Sequence, residues 1–479
     1  MVQYRLDRQG KGWNKGMTKK KKTAPVKKNK SYIVTCTDLT HEGNGVAKVD
    51  GYPLFVPYLL PGEKAKVKVV KVNKHFGYGK LIKLLNQSQD RVEAPCTVFY
   101  RCGGCQLQHM SYEAQLEMKQ EKVQNQLKRI GHITEAEVHP TLGMVEPPWH
   151  YRNKIQMPVG EKDGSLITGF YRERSHDIIP DMETCLIQNK TGDTIIQNLR
   201  QIADELGIPA YDEINHRGVL RHFVVRTAYH SKDTMLIIVT RTNTLPHEKE
   251  LVERITSLHP EIQSVIHNIN NRRTNVIFGD RMRTIYGENY IVDRIGSIRY
   301  RLSPRSFFQV NPIQTKRLYE TALEYAQVDE DDIVIDAYCG IGSISLFLAQ
   351  KAKKVYGVEV VAEAVEDAKR NAKLNELDNV EFVVGKAEDV MPRWKTQGIK
   401  PDVIVVDPPR KGCDKTLLQT MLDMEPKRIV YVSCNPATLA RDLRILEDGG
   451  YRTMEVQPVD MFSQTHHVEA VALMSRVDE

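Results

Sequence analysis

Apolar and polar residues change rhythm twice along the chain, dividing it into three textures. Between Ser31 and about Leu85 the period is two. Lys64-Ala-Lys-Val-Lys-Val-Val-Lys-Val72 sets lysines against apolar residues, the pattern of a half-buried strand with a cationic outer face. Gly43, Gly45, Gly51, Gly62, Gly77 and Gly79 punctuate the segment at turn-like intervals, which predicts a small all-β module. From Tyr112 to about Ile130 a polar amphipathic helix is expected, ended by Gly131. Tyr151 to about Tyr300 is rich in strand signals, such as Leu220 to Arg226 and Met235 to Arg241, with helical stretches near 192–206 and 246–258. It reads as an α+β middle domain.

From about Pro312 helix and strand alternate. Helix 313–327 precedes strand 333–336, a glycine loop and helix 343–353. Strand 355–358 ends in Glu359 and leads to helix 361–376 and strand 380–384. Strand 403–407, helix 415–424, strand 429–432 and a β-rich tail complete the chain. Such alternation predicts a doubly wound, mainly parallel sheet. The expected fold is multidomain: a basic disordered tail over 1–30, an OB-like β-barrel over 31–88, a cysteine-bearing α+β middle domain over 89–300 and a Rossmann-like α/β domain over 301–479.

Length supports that division, since 479 residues exceed what one ordinary core holds. No window approaches twenty apolar residues, so no membrane-spanning helix is expected. The polar N-terminus has no apolar stretch of a secretory signal, and a cytoplasmic location is expected. Charge is uneven. In residues 1–30, Arg5, Arg8 and nine lysines stand against Asp7 alone, a balance of +10, so the rest of the chain carries −3 of the overall +7. A lysine arm of this kind is solvated and suits nucleic acid through counterion release.

Three short motifs carry chemistry. Asp336-Ala-Tyr-Cys-Gly340-Ile-Gly342-Ser343 lies between a strand and a helix, where glycines let the backbone approach a ligand. A phosphate-binding fingerprint wants a third glycine where Ser345 stands, so an S-adenosylmethionine loop fits better than NAD, with Glu359 accepting from the ribose hydroxyls. Asp407-Pro-Pro-Arg-Lys-Gly412 ends a strand with a rigid turn that points a carboxylate inward. Related turns in N6-adenine methyltransferases end in an aromatic; here Arg410 takes that place, which argues against an exocyclic amine substrate. Ile429-Val-Tyr-Val-Ser-Cys434-Asn-Pro436 puts a thiol at the carboxyl end of a buried strand, where open α/β sheets hold ligands. A structural buried cysteine is the alternative, but Glu469, thirty-five residues on, adds a carboxylate able to move a proton.

Asp-Pro-Pro-Arg-Lys-Gly, Val-Ser-Cys-Asn-Pro and His466-His-Val-Glu469, in that order after the glycine loop, resemble the RNA uracil-C5 methyltransferase family. Phe307-Phe-Gln309-Val-Asn-Pro312 matches another motif of that family. The resemblance implies Cys434 as nucleophile toward uracil C6 and Glu469 as base for the C5 proton. It places Gln309, Tyr338, Glu359 and Asp407 around cofactor and uracil, with Ser343 where some relatives carry asparagine. The N-terminal module resembles TRAM, a barrel appended to RNA-modifying enzymes; a generic SH3-like barrel is the alternative. Cytosine-C5 enzymes carry a second cysteine in a Pro-Cys step, whereas here Asp407 is followed by Pro-Pro and Cys413 comes later.

Eight cysteines in a cytosolic chain of this size are not a disulfide framework. Cys96-x5-Cys102-Gly-Gly-Cys105, with Cys185 downstream, offers four thiolates for zinc or an iron–sulfur cluster. The same spacing, with Gln106-Leu-Gln-His109, is similar to that of the ribosomal-RNA branch of the family, which implies a 4Fe-4S cluster of structural role; zinc or an empty site are the alternatives. Arg152, Arg172, Arg174, Arg272 and Arg273, interleaved with Tyr151, Phe170 and Tyr171, suit RNA contact. His466 and His467, taken as neighbours on a strand, point to opposite faces and are not expected as ligands. The expected protein is an S-adenosylmethionine-dependent monomer that methylates uracil in RNA, most specifically 23S ribosomal RNA, without membrane or DNA partners. A transfer-RNA enzyme, or a non-catalytic RNA-binding protein on the same fold, are the rivals.

Overall fold

A computed structural model describes residues 24–180 and 182–477, so the basic tail lies outside the described residues as far as residue 23. The chain divides into two compact units. Among the described residues the first comprises 24–40 and 44–89, the second 41–43, 90–180 and 182–477.

In the first unit β1 (Ser31–Leu39), β2 (Gly45–Val49), β3 (Tyr52–Val56), β4 (Lys64–Val72) and β5 (Gly77–Leu84) close into a barrel of order β1-β2-β3-β5-β4. Along β4 exposed Lys64, Lys66 and Lys68 alternate with buried Ala65, Val67 and Val69. Alternation fills the barrel with Leu54, Val56, Val67 and their neighbours and lines its outside with ammonium groups, the arrangement period two dictates.

The second unit begins with α1 (Tyr112–Gln126), which runs into a π turn at Leu127–Gly131, and β6 (Glu137–Val138). The middle segment holds β7 (Lys154–Lys162), β8 (Ser165–Thr168), α2 (Lys190–Glu205), β9 (Leu220–Thr227) and β10 (Thr234–Thr240). It continues through α3 (Glu248–Leu258), β11 (Ile262–Ile269), β12 (Arg281–Gly287) and the hairpin β13 (Ile291–Ile295) and β14 (Ile298–Leu302). Its main sheet has the order β12-β11-β10-β9-β7-β8, with α2 packed on β8 and β9 through Ile195, Ile196 and Leu199.

The C-terminal half opens with α4 (Pro312–Ala326), β15 (Ile333–Ala337), α5 (Ser343–Ala349), β16 (Lys354–Glu359), α6 (Ala362–Leu374) and β17 (Val380–Val384). Next come α7 (Ala387–Thr396), β18 (Val403–Val406), α8 (Lys415–Met424) and β19 (Arg428–Ser433). The last elements are α9 (Pro436–Asp448), β20 (Tyr451–Val459) and β21 (Glu469–Arg476). Its sheet runs β17-β16-β15-β18-β19-β21-β20-β6. From β17 to β19 all pairings are parallel; β21 is antiparallel to both β19 and β20. Strand order reverses between β15 and β18, the switch point where such sheets open a crevice.

Four differences from the sequence expectation stand out, the first three with local causes. The helix expected over 343–353 stops at Ala349, because Lys354 already belongs to the next strand. The tail after 432 is not purely β: Asn435 caps α9, its side chain accepting from Ala437 N at 3.1 Å, and Pro436 sits at the first turn. Helix α7 carries Pro392 inside it, which hides its helical pattern. Strand β6 lies within the span assigned to the middle domain, yet it pairs with β20 at the edge of the C-terminal sheet.

Candidate active site

The carboxyl ends of the parallel strands gather the motif residues. Tyr338 follows β15, Glu359 ends β16, Asp407 follows β18 and Cys434 follows β19. Because β21 is antiparallel, its first residue, Glu469, reaches the same edge. Ser433 pairs with Ala470, the last pair of that ladder, and Cys434 and Glu469 are the residues next beyond it. Gln309, Tyr338, Gly340, Glu359, Asp407, Cys434 and Glu469 all line one cavity of about 790 Å³. Ser343 opens α5, and its carbonyl accepts from the Tyr300 hydroxyl at 2.9 Å.

Backbone geometry opens this cavity. Gly340 has φ +56°, and a Cβ there would meet nothing within 4 Å. Gly342 has φ +81°, and a Cβ would fall 2.9 Å from Phe382 Cζ, so the turn into α5 needs glycine on two counts. Glu359 accepts from Gly340 N at 3.3 Å and Val361 N at 2.9 Å, which fixes its carboxylate beside the loop. The segment before α4 is held by the middle domain. Fully buried Arg226 donates to the Ser306 hydroxyl at 3.1 Å and carbonyl at 2.6 Å, and Asn153 donates to Gln309 O at 3.1 Å. Phe307, 71% exposed, lines the cavity from the same segment.

Electrostatics in the cavity favour protonated forms. Burial, then the negative charges of Glu469 and Asp407, push the Cys434 thiol up to about 11, with Arg410 opposing. Burial raises Glu469 above the usual carboxylate range, and among the described residues its Oε2 has no hydrogen-bond partner. Asp407 is raised well above that range by burial and by Glu469. Two desolvated carboxyls facing one thiol cannot all ionise together. Asp336, beneath the loop, accepts from Ser345 Oγ; burial pushes it up to about 7.

A second cavity, of about 380 Å³, is lined by Cys96, Cys102, Cys105 and Cys185 together with Arg152, Arg410 and His467. All four cysteines are free and partly buried. Burial pushes Cys105 and Cys185 up to about 12 and raises Cys102. Among the described residues no three His, Cys, Asp or Glu side chains stand close enough to hold one metal ion. His466 and His467 precede β21 rather than lying in it, and their rings approach to 4.2 Å between centroids; the strand argument for opposite faces does not apply. Of the arginines singled out above, Arg272 is paired with Asp280. Tyr151 is buried, its hydroxyl donating to Ser463 O at 2.9 Å.

Residues 111–477 match the family model described as tRNA (Uracil-5-)-methyltransferase. The chain belongs to that family. Residues 25–82 match the TRAM domain. An uncharacterized RNA methyltransferase of Oceanobacillus iheyensis is 60% identical over 94% of this chain and 97% of its own. Another, of Halalkalibacterium halodurans, is 60% identical over 95% and 99%. Among solved structures, Pyrococcus abyssi tRNA (uracil-54, C5)-methyltransferase in complex with S-adenosyl-L-homocysteine is 30% identical. It covers 92% of this chain and 99% of its own, with a TM-score of 0.75. The chain is thus an RNA uracil-5 methyltransferase with an N-terminal TRAM domain, and among its described residues no helix is long and apolar enough to cross a membrane.

Some participants leave no local signal in the sequence. Lys119 and Asp460, both fully buried, form an ion pair across 341 residues. Asp460 also accepts from Tyr112 and Ser463, each at 2.6 Å. Arg410 lines the four-cysteine cavity, while its carbonyl accepts from Asn435 Nδ2 at 3.1 Å beside Cys434.

Proposed function

We propose that this enzyme makes 5-methyluridine through a covalent bond between Cys434 and C6 of the target uracil. The observation that carries the reading is the meeting of Cys434, Glu469 and Asp407 at one end of adjacent strands in one cavity. Uracil C5 is a poor nucleophile. When sulfur bonds to C6, the C5–C6 electron pair moves toward O4 and C5 becomes able to attack a methyl group. Glu469 then takes the C5 proton, the double bond re-forms and sulfur leaves as thiolate. Asp407 faces the uracil edge. The base must leave its stack to reach Cys434, and Phe307 and Gln309 stand where it enters.

S-adenosyl-L-methionine, when bound, supplies the methyl group. The cavity suits it: Gly340 leaves the loop open, Tyr338 forms a wall, and Glu359, held by two backbone N–H groups, keeps lone pairs free for ribose hydroxyls. The Pyrococcus relative's complex with S-adenosyl-L-homocysteine supports the assignment.

Cys96, Cys102, Cys105 and Cys185 are the proposed ligands of a 4Fe-4S cluster. Four soft thiolates around one chamber suit iron–sulfur ligation, and a cluster spaces its cysteines further apart than a single ion does, since each holds a different iron. Arg152 and Arg410 line the chamber and offset the thiolate charge. The TRAM barrel with this cysteine set supports 23S ribosomal RNA as substrate. Transfer RNA is the second reading, favoured by the likeness to the Pyrococcus tRNA (uracil-54, C5)-methyltransferase. Mass-spectrometric mapping of RNA from cells lacking this protein tests the choice: loss of one or more 5-methyluridines from 23S RNA is expected, and loss confined to transfer RNA overturns it.

A further inference from the structure

Gln464 stands in the loop between β20 and β21 with φ +69°, a left-handed backbone on a residue other than glycine, and is only 3% exposed. Such a conformation persists only where its surroundings impose it. Here four hydrogen bonds do so. The Gln464 carbonyl accepts from Gln106 N at 3.1 Å and Leu107 N at 3.0 Å. Its own N–H donates to Gln115 Oε1 at 3.1 Å, and its side-chain oxygen accepts from Gln115 Nε2 at 3.0 Å. Gln106 directly follows Cys105, and Gln115 belongs to α1. Thr465 and His467, just beyond Gln464, line the four-cysteine cavity. Lys122, also on α1, donates to His466 O at 2.8 Å.

The loop spans only residues 460–468, and its two ends, Val459 and Glu469, are ladder partners. A chain entering β21 one residue out of phase would turn Glu469 to the opposite face of the sheet, because side chains alternate strictly along a strand. We propose that Gln464 is a positioning residue: clamped by the cysteine-bearing segment and α1, it sets the phase in which the chain enters β21. In this way it aims the Glu469 carboxylate at the uracil cavity. The inference rests on the reading of Glu469 as the base that removes the C5 proton. It gives the cysteine segment a second task, since that segment grips the loop that delivers the base.

The test compares wild type with Gln464→Gly, which keeps the left-handed backbone accessible but removes the side-chain bond, and with Gln115→Ala, which breaks the clamp from the other side. Glu469→Gln serves as reference. If the base is misplaced, kcat falls about ten- to a hundredfold with KM changed less than about threefold. The Cys434–RNA adduct then persists on ordinary substrate RNA as a denaturation-resistant band. Adduct formation with 5-fluorouridine RNA, which needs no C5 proton removal, stays at the wild-type rate. A kcat within about twofold of wild type, or a 5-fluorouridine adduct rate that falls in step with kcat, overturns the clamp. If Glu469→Gln traps adduct and the two glutamine variants do not, the clamp alone is wrong. If Glu469→Gln traps none, the reading of Glu469 as base fails and the clamp falls with it.

Discussion

Replacing Glu469 by glutamine is expected to make Cys434 more reactive toward a simple alkylating reagent while abolishing turnover. Glu469 and Cys434 lie next beyond the last paired residues of β19 and β21 and line one cavity, so the scale is that of two charges about 5 Å apart. At that separation a full negative charge raises the thiol by about 3 kcal/mol at an effective dielectric of about 20, and by half as much in a cavity open to water. The lower figure corresponds to about one pKa unit. Cys434 lies at about 11 through burial and two carboxyls, so removing one of them lowers it and increases the thiolate fraction about tenfold at pH values above the range in which Glu469 ionises and below that of the thiol. The effect is largest above the range in which Glu469 gives up its proton. Iodoacetamide labelling at about pH 9, with the Cys434 peptide quantified by mass spectrometry, measures it directly. Wild-type labelling is expected to rise about tenfold per pH unit toward 11. Labelling that is unchanged or slower in Glu469→Gln would show that this carboxylate does not face the thiol.

Lys119→Met leaves Asp460 buried without its cation and is expected to cost about 3–5 kcal/mol in denaturant unfolding; a loss below about 1 kcal/mol would contradict the pairing's burial. Gly342→Ala must accept a left-handed φ and a contact with Phe382. It is expected to weaken S-adenosylmethionine binding at least about tenfold by calorimetry, at a backbone cost of about 1–3 kcal/mol, and unchanged affinity would mean that the loop is not the cofactor's seat. Anaerobically purified protein is expected to contain about four irons per chain, with Cys105→Ser losing them. A colourless protein containing zinc instead would replace the cluster with a single-ion site.

The doubly wound half is legible in sequence because its central strands are buried on both faces and read as unbroken apolar runs, such as Val403 to Val406 and Ile429 to Val432. The thiol at a strand end, the glycine loop and the acid of β16 follow from the same pattern. Legibility fails where order is non-local. Nothing near Glu469 signals that β21 runs antiparallel and so brings its first residue to the cavity edge; only the motif pointed there. The six-stranded middle sheet mixes one parallel pairing, β10 with β11, among antiparallel neighbours, and no local pattern distinguishes the two. Lys119, Gln115 and Arg226 look like ordinary surface residues in the sequence, yet each is buried by partners far along the chain.

The central claim is covalent catalysis by Cys434. Incubating the enzyme with 5-fluorouridine-containing 23S RNA fragments and S-adenosylmethionine, then mapping the denaturation-resistant complex by mass spectrometry, tests it directly. The predicted result is one RNA adduct on the peptide bearing Cys434, carrying the transferred methyl group and absent from Cys434→Ala. An adduct on another cysteine, or full methyl transfer to RNA by Cys434→Ala, would contradict it.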